Sequence, residues 1–254
     1  MTSPKPTVFF SPGGFHTPWV FDTVRGILSG RGFTTEVSSL LSVGGTDPNL
    51  GLYSDAEHLR SLLIERIDEG QEIVFVAHSY GGMVISCAVE GLSVEQRAAE
   101  GKKGGIVMIL YLASLIMSTG QSLQSTIHPS IYPWADGEDG FLIPKNPLHG
   151  FYNGVEPSLA NKAVMALKPM SSRIKVDKVT YEPWNEGFEV GYIFTEEDNT
   201  FVIDTQRAMF SKFPDGSFSA SLATGHSPFL SAPNALADAI HDGINYLAKK
   251  RASS

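Results

Sequence analysis

The stretch Ile73-Val74-Phe75-Val76-Ala77-His78-Ser79-Tyr80-Gly81-Gly82-Met83-Val84-Ile85 decides the fold. It combines an apolar run typical of a buried strand, a tight turn that carries one serine, and the start of a helix. A serine on such a turn is held in strained geometry with its hydroxyl above the sheet, and small residues two positions away on each side let the turn close. Ala77 and Gly81 hold those positions, although the usual first residue is glycine. The pattern predicts Ser79 as a nucleophile; the alternative is a serine that caps the helix.

A serine hydroxyl becomes a useful nucleophile only when a base takes its proton, and the sequence offers seven histidines. His226 follows the strand-like alternation of residues 218–222 and a short turn, with a helix predicted beyond it. It therefore falls on a loop at the carboxyl end of a strand, where open α/β sheets place their ligands. We predict His226 as the base. His78 points away from Ser79 on the predicted strand and is expected to pack beneath the sheet.

The third residue of such a site is a carboxylate that orients the histidine and stabilises its protonated form. The apolar strand at residues 190–195 is followed by three acids, Glu196, Glu197 and Asp198. An acid one strand earlier is disfavoured, because residues 105–127 contain no Asp or Glu. Asp198 lies farthest from the strand end, so its loop can bend the carboxylate toward the histidine. We predict Asp198 as the acid, with Glu197 as the reserve, and otherwise expect Glu196 and Glu197 at the solvated rim.

A glycine turn follows the first predicted strand, in Val8-Phe9-Phe10-Ser11-Pro12-Gly13-Gly14-Phe15-His16. Negative charge that develops on a substrate carbonyl oxygen is stabilised by pre-aimed donors, commonly backbone N–H groups. Because glycine lets the backbone approach a substrate closely, we predict the N–H groups of Gly14 and of Tyr80 as the two donors. The alternative is a plain turn before a helix. Phe15, His16 and Trp134 are candidate pocket residues, and none has an assigned role.

Four parts of the sequence resemble the α/β-hydrolase superfamily, and within it the plant methylesterase and hydroxynitrile lyase group with its microbial esterase relatives. These parts are Pro12–Trp19, Ala77–Gly82, Phe194–Asp198 with Gln206-Arg207, and Gly225-His226. The resemblance covers nearly the whole chain. It implies Ser79 as nucleophile, Asp198 as acid and His226 as base, in the chain order of that superfamily. It also implies an oxyanion hole formed by the backbone N–H groups of Gly14 and Tyr80.

The chain departs from the members of this group that cleave cyanohydrins. Those members carry a lysine next to the histidine and a threonine in the oxyanion turn, whereas this chain has Ser227 and Gly13 there. The usual His-Gly of that turn is Pro12-Gly13 in this sequence. Cyanohydrin cleavage is thereby disfavoured, while ester hydrolysis requires neither group.

Predicted strands and helices alternate along the chain. Strands are expected near 7–13, 33–38, 72–78, 105–113, 190–196 and 217–222. Helices are expected near 19–30, 54–69, 80–91, 201–212 and 233–250. This alternation predicts a mainly parallel sheet of about six strands flanked by helices. Such a sheet agrees with the α/β-hydrolase fold that the resemblance implies.

The alternation breaks between residues 115 and 188, a stretch that is long for a connection and is therefore expected to be functional. It is rich in proline and aromatic residues, Pro129 and Trp134 among them, and contains a short helical run at Leu159–Leu167. We predict that it forms a cap, or lid, inserted over Ser79. The hydrolase core is then expected in residues 1–114 and 189–254.

Bulk properties fit a single globular enzyme of 254 residues. The net charge of −8 argues against nucleic acid and anionic membrane partners. Cys87 is the sole cysteine, which excludes an internal disulfide and favours a cytoplasmic location, and residues 1–6 lack a signal-peptide hydrophobic stretch. The apolar run at 106–117 is too short to span a bilayer. No metal or organic cofactor is expected, and the oligomeric state stays open.

Together these features predict a serine hydrolase of the carboxylesterase type, which cleaves an ester or lactone of a small apolar or aromatic metabolite through an acyl-enzyme. Two alternatives stay open. One is a lyase or cyclase of the same fold that acts on a polyketide-like metabolite by proton transfer. The other is a non-catalytic ligand-binding receptor, which would have no need of the three residues. Acyl and alcohol preferences depend on the shape of the cap, which composition does not reveal.

Overall fold

The computed structural model describes residues 5–128 and 133–253, so the expectations for residues 1–4 and for Pro129 lie outside the described residues. Its strands, in chain order, are β1 (Thr7–Ser11), β2 (Thr35–Val37), β3 (Glu72–His78), β4 (Gly105–Leu112), β5 (Trp134–Asp136), β6 (Phe141–Pro144), β7 (Met170–Ser171), β8 (Val190–Thr195) and β9 (Phe218–Leu222). Six of them form one parallel sheet in the order β2-β1-β3-β4-β8-β9. The prediction of a parallel sheet of about six strands is confirmed.

The α-helices, in chain order, are α1 (Asp22–Gly30), α2 (Leu52–Asp68), α3 (Gly81–Ala88), α4 (Val94–Ala99), α5 (Leu123–Thr126), α6 (Pro147–Gly150), α7 (Pro157–Ala166), α8 (Ile203–Phe210), α9 (Pro228–Ser231) and α10 (Pro233–Ala252). Shorter 3-10 helices lie at Pro18–Phe21, Ser172–Lys175 and Pro183–Asn185. Among the helices of the described ranges, none combines the length and the apolar character that crossing a bilayer requires.

The central strands are buried on both faces, which is why their sequences are continuous apolar runs rather than alternating ones. Every residue of β4 is buried. On β3, Phe75 packs into the core under α2 and α3, whereas Val74 and Val76 pack into the core under α1 and α10. Each fully buried large apolar side chain of this kind contributes about 1.5–3 kcal/mol to folding.

The ends of some strands and helices differ from the predicted ones. Strand β1 ends at Ser11 instead of residue 13, because Pro12 lacks an N–H group for the ladder and the glycine turn begins there. Helix α3 ends at Ala88. The next helix, α4, was not predicted, although Ser93 and Gln96 form a capping box at its start.

Residues 113–189 connect β4 to β8 and are called the insertion below. The insertion contains α5, α6 and α7 and a three-stranded antiparallel sheet, β5-β6-β7, which was not predicted. The helical run predicted at Leu159–Leu167 corresponds to α7. Contacts that attach the insertion to the segment between β2 and α2 include a bridge between Met170 and Val43 and a hydrogen bond of 3.0 Å from the N–H of Leu52, the first residue of α2, to the Asp177 carboxylate.

Candidate active site

Ser79 lies between β3 and α3 with φ of +52°, in the left-handed region that non-glycine residues rarely adopt. Four hydrogen bonds hold it there. Its N–H donates to the carbonyl of Leu112 at 3.2 Å, and its own carbonyl accepts from the Ser114 hydroxyl at 2.8 Å and from the N–H groups of Gly82 and Leu115 at 3.1 Å each. The strained turn is therefore fixed by the end of the neighbouring strand β4 and the residues just beyond it.

The two glycines after the turn are required by close packing. A Cβ atom at Gly81 would lie 3.1 Å from the carbonyl oxygens of both Ser11 and Pro12. A Cβ atom at Gly82 would collide with the Ser114 hydroxyl and lie 2.5 Å from a backbone oxygen. Side chains at either position would push α3 away from the strand ends that hold the turn.

His226 and Asp198 lie side by side, as the sequence predicts. The Nδ1–H of His226 donates to Oδ2 of Asp198 across 2.7 Å, and both side chains are buried. Glu196 and Glu197 are exposed, as expected for rim charges. The structure thus brings Asp198, and not the reserve Glu197, to the histidine.

The Asp198 carboxylate is hydrogen-bonded on both oxygens. Oδ2 also accepts from the Thr195 hydroxyl at 2.9 Å, and Oδ1 accepts from the N–H groups of Thr200 at 2.7 Å and Phe201 at 2.9 Å. Gln206 braces this loop, because its amide donates to the carbonyls of Thr195 at 2.8 Å and Phe201 at 2.6 Å and accepts from the Thr195 N–H at 3.0 Å. Gln206 entered the sequence prediction only through the resemblance, since a buried glutamine in a helix gives no local signal.

His78 is buried and packs on Phe229, with ring centroids 4.9 Å apart, but it is not remote from the site. Its Nε2–H donates to the backbone carbonyl of His226 at 2.9 Å. Burial, followed by the proximity of His226, holds the pKa of His78 well below its ordinary value. The expectation of simple packing beneath the sheet misses this bond, because strand alternation does not show where the loop of residue 226 passes.

The glycine turn after β1 is held in a defined shape. Phe15 has φ of +68°, and its carbonyl accepts from the N–H of Lys168 at 3.0 Å. The Nδ1–H of His16 donates to the Gly14 carbonyl at 2.7 Å, and the Tyr152 hydroxyl lies 3.0 Å from Nε2 of His16. Burial lowers the pKa of His16 to about 4, so its imidazole is neutral at physiological pH.

Tyr80, the residue after the serine, is anchored through its side chain. Its hydroxyl donates to Asp55 at 3.0 Å, and the same carboxylate accepts from the N–H of Ser42 at 2.9 Å and from its hydroxyl at 2.6 Å. Burial raises the pKa of Asp55, and the donated hydrogen bonds oppose that rise. A loop and a helix of the core therefore hold the peptide next to Ser79.

A small cavity, with about 30 Å³ of space for water-sized molecules, brings these residues together. Ser79, His226, Gly14 and Tyr80 all line it, and so do the three candidate pocket residues Phe15, His16 and Trp134. The insertion contributes the apolar side chains Leu115, Leu123, Pro133, Trp134, Phe151, Met170 and Ile174. Among the described residues that line the cavity there is no Lys, Arg, Asp or Glu. Its wall is therefore apolar, with a few polar groups converging near Ser79.

No cluster of three or more His, Cys, Asp or Glu in residues 5–128 and 133–253 is arranged to hold a metal ion.

The chain is similar to several known proteins. A relative, an alpha/beta hydrolase of Aspergillus novofumigatus, is 25% identical over 236 residues, which cover 91% of this chain and 93% of that protein. A solved methylesterase from Arabidopsis superposes with a TM-score of 0.76 at 21% identity, covering 95% of this chain and 99% of the other. A pyrethroid hydrolase from Sphingobium faniae superposes with a TM-score of 0.72 at 19% identity, covering 96% and 99%.

The family profile that matches is that of the alpha/beta hydrolase family, over residues 8–239. The resemblance drawn from the four sequence segments is thus confirmed. Because the match spans most of the sequence and the fold agrees with it, this chain belongs to the alpha/beta hydrolase family.

Proposed function

We propose that this chain is a serine hydrolase of the carboxylesterase type that works through an acyl-enzyme. The observation that carries the proposal is that Ser79 and His226 line one apolar cavity, and that His226 is hydrogen-bonded behind it to the buried Asp198. The names of the methylesterase and the pyrethroid hydrolase, whose folds are similar, agree with ester cleavage.

The hydrogen bond to Asp198 assigns the protonation of His226. A carboxylate only accepts, so the proton sits on Nδ1 and leaves Nε2 unprotonated and able to act as a base. Nε2 takes the Ser79 proton as Oγ attacks the ester carbonyl. The imidazolium that forms is stabilised by Asp198 and then protonates the departing alcohol. Water, activated by the same nitrogen, hydrolyses the acyl-enzyme and releases the carboxylic acid.

The oxyanion of each tetrahedral intermediate accepts hydrogen bonds from the backbone N–H groups of Gly14 and Tyr80 in this mechanism. Both residues line the cavity beside Ser79, and both are anchored by the side-chain bonds described above. Anchored donors need no reorganisation when the charge develops, which is the physical basis of their effect on rate.

The proposed substrate is an uncharged ester or lactone of a small apolar or aromatic metabolite. The described cavity wall offers no charged side chain to bind an ionic substrate, whereas Phe15, Trp134 and Phe151 offer aromatic surface. We further propose that residues 115–188 act as the cap of the site, because they contribute nearly half of the residues that line it.

Gly13 supports ester hydrolysis over cyanohydrin cleavage. A Cβ atom at this position would lie 2.8 Å from both Nδ1 of His78 and Cβ of Ser79. Contacts this short leave no room for the threonine of the cyanohydrin-cleaving members. The neighbour of His226 is a buried serine, Ser227, which supplies no ammonium group.

The test is labelling of the purified chain with a fluorophosphonate, together with turnover of 4-nitrophenyl acetate. Ser79→Ala is expected to abolish both, while Ser61→Ala, which removes an exposed hydroxyl on α2, leaves both unchanged. Undiminished turnover in Ser79→Ala would reject the mechanism. Turnover of a metabolite without a trapped acyl-enzyme would favour a lyase or cyclase, and ligand binding without any turnover would favour a receptor.

A further inference from the structure

His16 joins the insertion to the turn that carries Gly14. Its Nδ1 lies 2.7 Å from the Gly14 carbonyl oxygen, and its Nε2 lies 3.0 Å from the Tyr152 hydroxyl. A carbonyl oxygen can only accept, so Nδ1 carries the proton and Nε2 accepts from the hydroxyl. Tyr152 belongs to the insertion, 136 residues away in sequence. One neutral imidazole therefore bonds to both sides of the cavity.

The surroundings of His16 keep it in this single state. The ring is 3% exposed, and it packs edge-on against Phe151 and Phe229 at centroid distances of 5.4 and 6.2 Å. An apolar environment of this kind disfavours the charged imidazolium, in agreement with the lowered pKa of about 4. Both hydrogen bonds of the ring are thus present throughout the neutral pH range.

The glycine turn needs such support. Gly14 has no side chain of its own to hold its orientation, and Phe15 beside it occupies a left-handed conformation that costs on the order of 1–3 kcal/mol. The bond from His16 fixes the peptide between Gly14 and Phe15, and the adjoining peptide carries the Gly14 N–H. Rotation of the turn would move that N–H away from the cavity.

We propose that His16 is a positioning residue for the oxyanion donor Gly14, and that Tyr152 makes this positioning depend on the insertion being seated over the site. The proposal rests on the proposed esterase function. It assigns to His16 no contact with the reacting atoms. Its effect is to hold a donor in the orientation that the tetrahedral intermediate requires, so it acts on the transition state more than on the bound ester.

The test compares two amides at position 16. In His16→Asn the side-chain amide can replace the Nδ1–H donor to Gly14, whereas in His16→Gln the amide reaches the Nε2 position and leaves the Gly14 carbonyl without its partner. We expect kcat/KM for 4-nitrophenyl acetate to fall about 100-fold in His16→Gln and by less than about tenfold in His16→Asn, a range typical of disturbed oxyanion donors. Equal losses in the two variants would overturn the proposal.

Tyr152→Phe tests the link to the insertion. It removes only the hydroxyl, which bonds to Nε2 of His16 at 3.0 Å and lies 3.5 Å from the Ala163 carbonyl within the insertion, and it is expected to lower kcat/KM about threefold to tenfold. Tyr246→Phe is the matched control, since that hydroxyl donates an exposed hydrogen bond of 2.7 Å to the carbonyl of Gly216 and does not line the cavity. A loss in the control as large as in Tyr152→Phe would overturn the role of Tyr152.

Two further measurements separate positioning from a general structural effect. Affinity for a trifluoromethyl ketone, which forms a tetrahedral adduct with the serine, is expected to weaken in proportion to kcat/KM across the variants. Binding of the intact ester, measured with each variant in the Ser79→Ala background, is expected to change less than about threefold. Parallel loss of ester binding would assign His16 a packing role instead.

The activity of the wild-type chain distinguishes failure of the positioning role of His16 from failure of the esterase function on which that role rests. If the wild type neither reacts with a fluorophosphonate nor turns over 4-nitrophenyl acetate, the esterase function itself fails. Suppose instead that the wild type is active, that circular dichroism shows His16→Gln to be folded, and that the variant has the same kcat/KM as the wild type. Only the positioning role of His16 then fails.

Discussion

The Nε2–H of His78 donates to the backbone carbonyl of His226 across 2.9 Å. The residue that precedes Ser79 on β3 therefore holds the loop that carries the proposed base. Nδ1 of His78 is buried without a partner in the described structure. Protonating this ring would place a charge on a fully buried side chain beside His226, which burial strongly opposes.

The buried neutral histidines predict how stability depends on pH. The folded-state pKa values of His78 and His16 lie below 6.5, so the unfolded chain binds more protons than the folded one as pH falls below 6.5, and stability is lost in that direction. Each such histidine steepens the loss by up to about 1.4 kcal/mol per pH unit. For His16 the loss levels off near pH 4, where the folded protein also takes up its proton.

Urea unfolding between pH 5 and 7 checks this prediction. In His78→Gln the amide can still donate to the His226 carbonyl, but the titrating ring is gone, so the slope of unfolding free energy against pH is expected to fall by about 1 kcal/mol per pH unit. The raised pKa of Asp55 makes stability increase as pH falls, which is opposite to the effect of the histidines. This contribution is the same in wild type and variant, so it cancels when their slopes are compared. An unchanged slope would show that His78 does not stay neutral in the folded state.

Asp198→Asn is expected to lower kcat by about 10³–10⁴-fold with the fold intact. The amide presents N–H donors to the histidine, which favours the tautomer with its proton on Nε2 and removes the base. Kinetics with 4-nitrophenyl acetate measure the loss. Glu197→Gln is the matched control on the same loop, and its exposed side chain predicts activity close to wild type; a large loss there would move the acid assignment.

Gln206→Leu is expected to cost about 2–4 kcal/mol of unfolding free energy, because buried backbone groups of Thr195 and Phe201 lose their partners. Activity is expected to fall as well, since the same loop orients Asp198. Denaturant unfolding and kinetics on one preparation test both effects. Arg207→Gln, at the exposed neighbouring position of α8, is expected to stay within about 0.5 kcal/mol of wild type.

Two glycine-to-alanine substitutions are expected to change the free energy of unfolding in opposite directions. Gly26→Ala in α1 meets nothing within 4 Å and is expected to raise stability by about 0.5–1 kcal/mol, the difference in helix propensity. Gly82→Ala in α3 meets the backbone beyond β4 and is expected to lower both stability and activity. Thermal unfolding of the two variants decides the point, and a stable, active Gly82→Ala would contradict the packing of the serine turn.

Sequence patterns predicted the features that depend on local order. The apolar runs of β3 and β4, the turn at Ser79 and the helices flanking it are set by neighbours within a few residues. The positions of Asp198 and His226 at strand ends followed from the same logic, because parallel strands bring their carboxyl ends to one edge.

Features that depend on contacts between distant residues were not predicted. Strands β5 and β7 contain only three and two residues, too few for an alternating pattern to emerge. The bonds of His16 to Tyr152 and of Tyr80 to Asp55 join residues far apart in the chain, and nothing in the neighbouring sequence marks either partner. Such pairs emerge only when the insertion and the core are packed together.

The crowding at Gly13 has an evolutionary consequence. Because a side chain there would press on the imidazole of His78 as well as on Cβ of Ser79, a mutation that adds one requires both a smaller residue 78 and a shift of the serine turn. Shrinking residue 78 first would release the loop of His226 and impair the ancestral activity. Chemistry that uses a hydroxyl at position 13 therefore requires coordinated changes at positions 13 and 78 and in the serine turn, and no single substitution gives access to it.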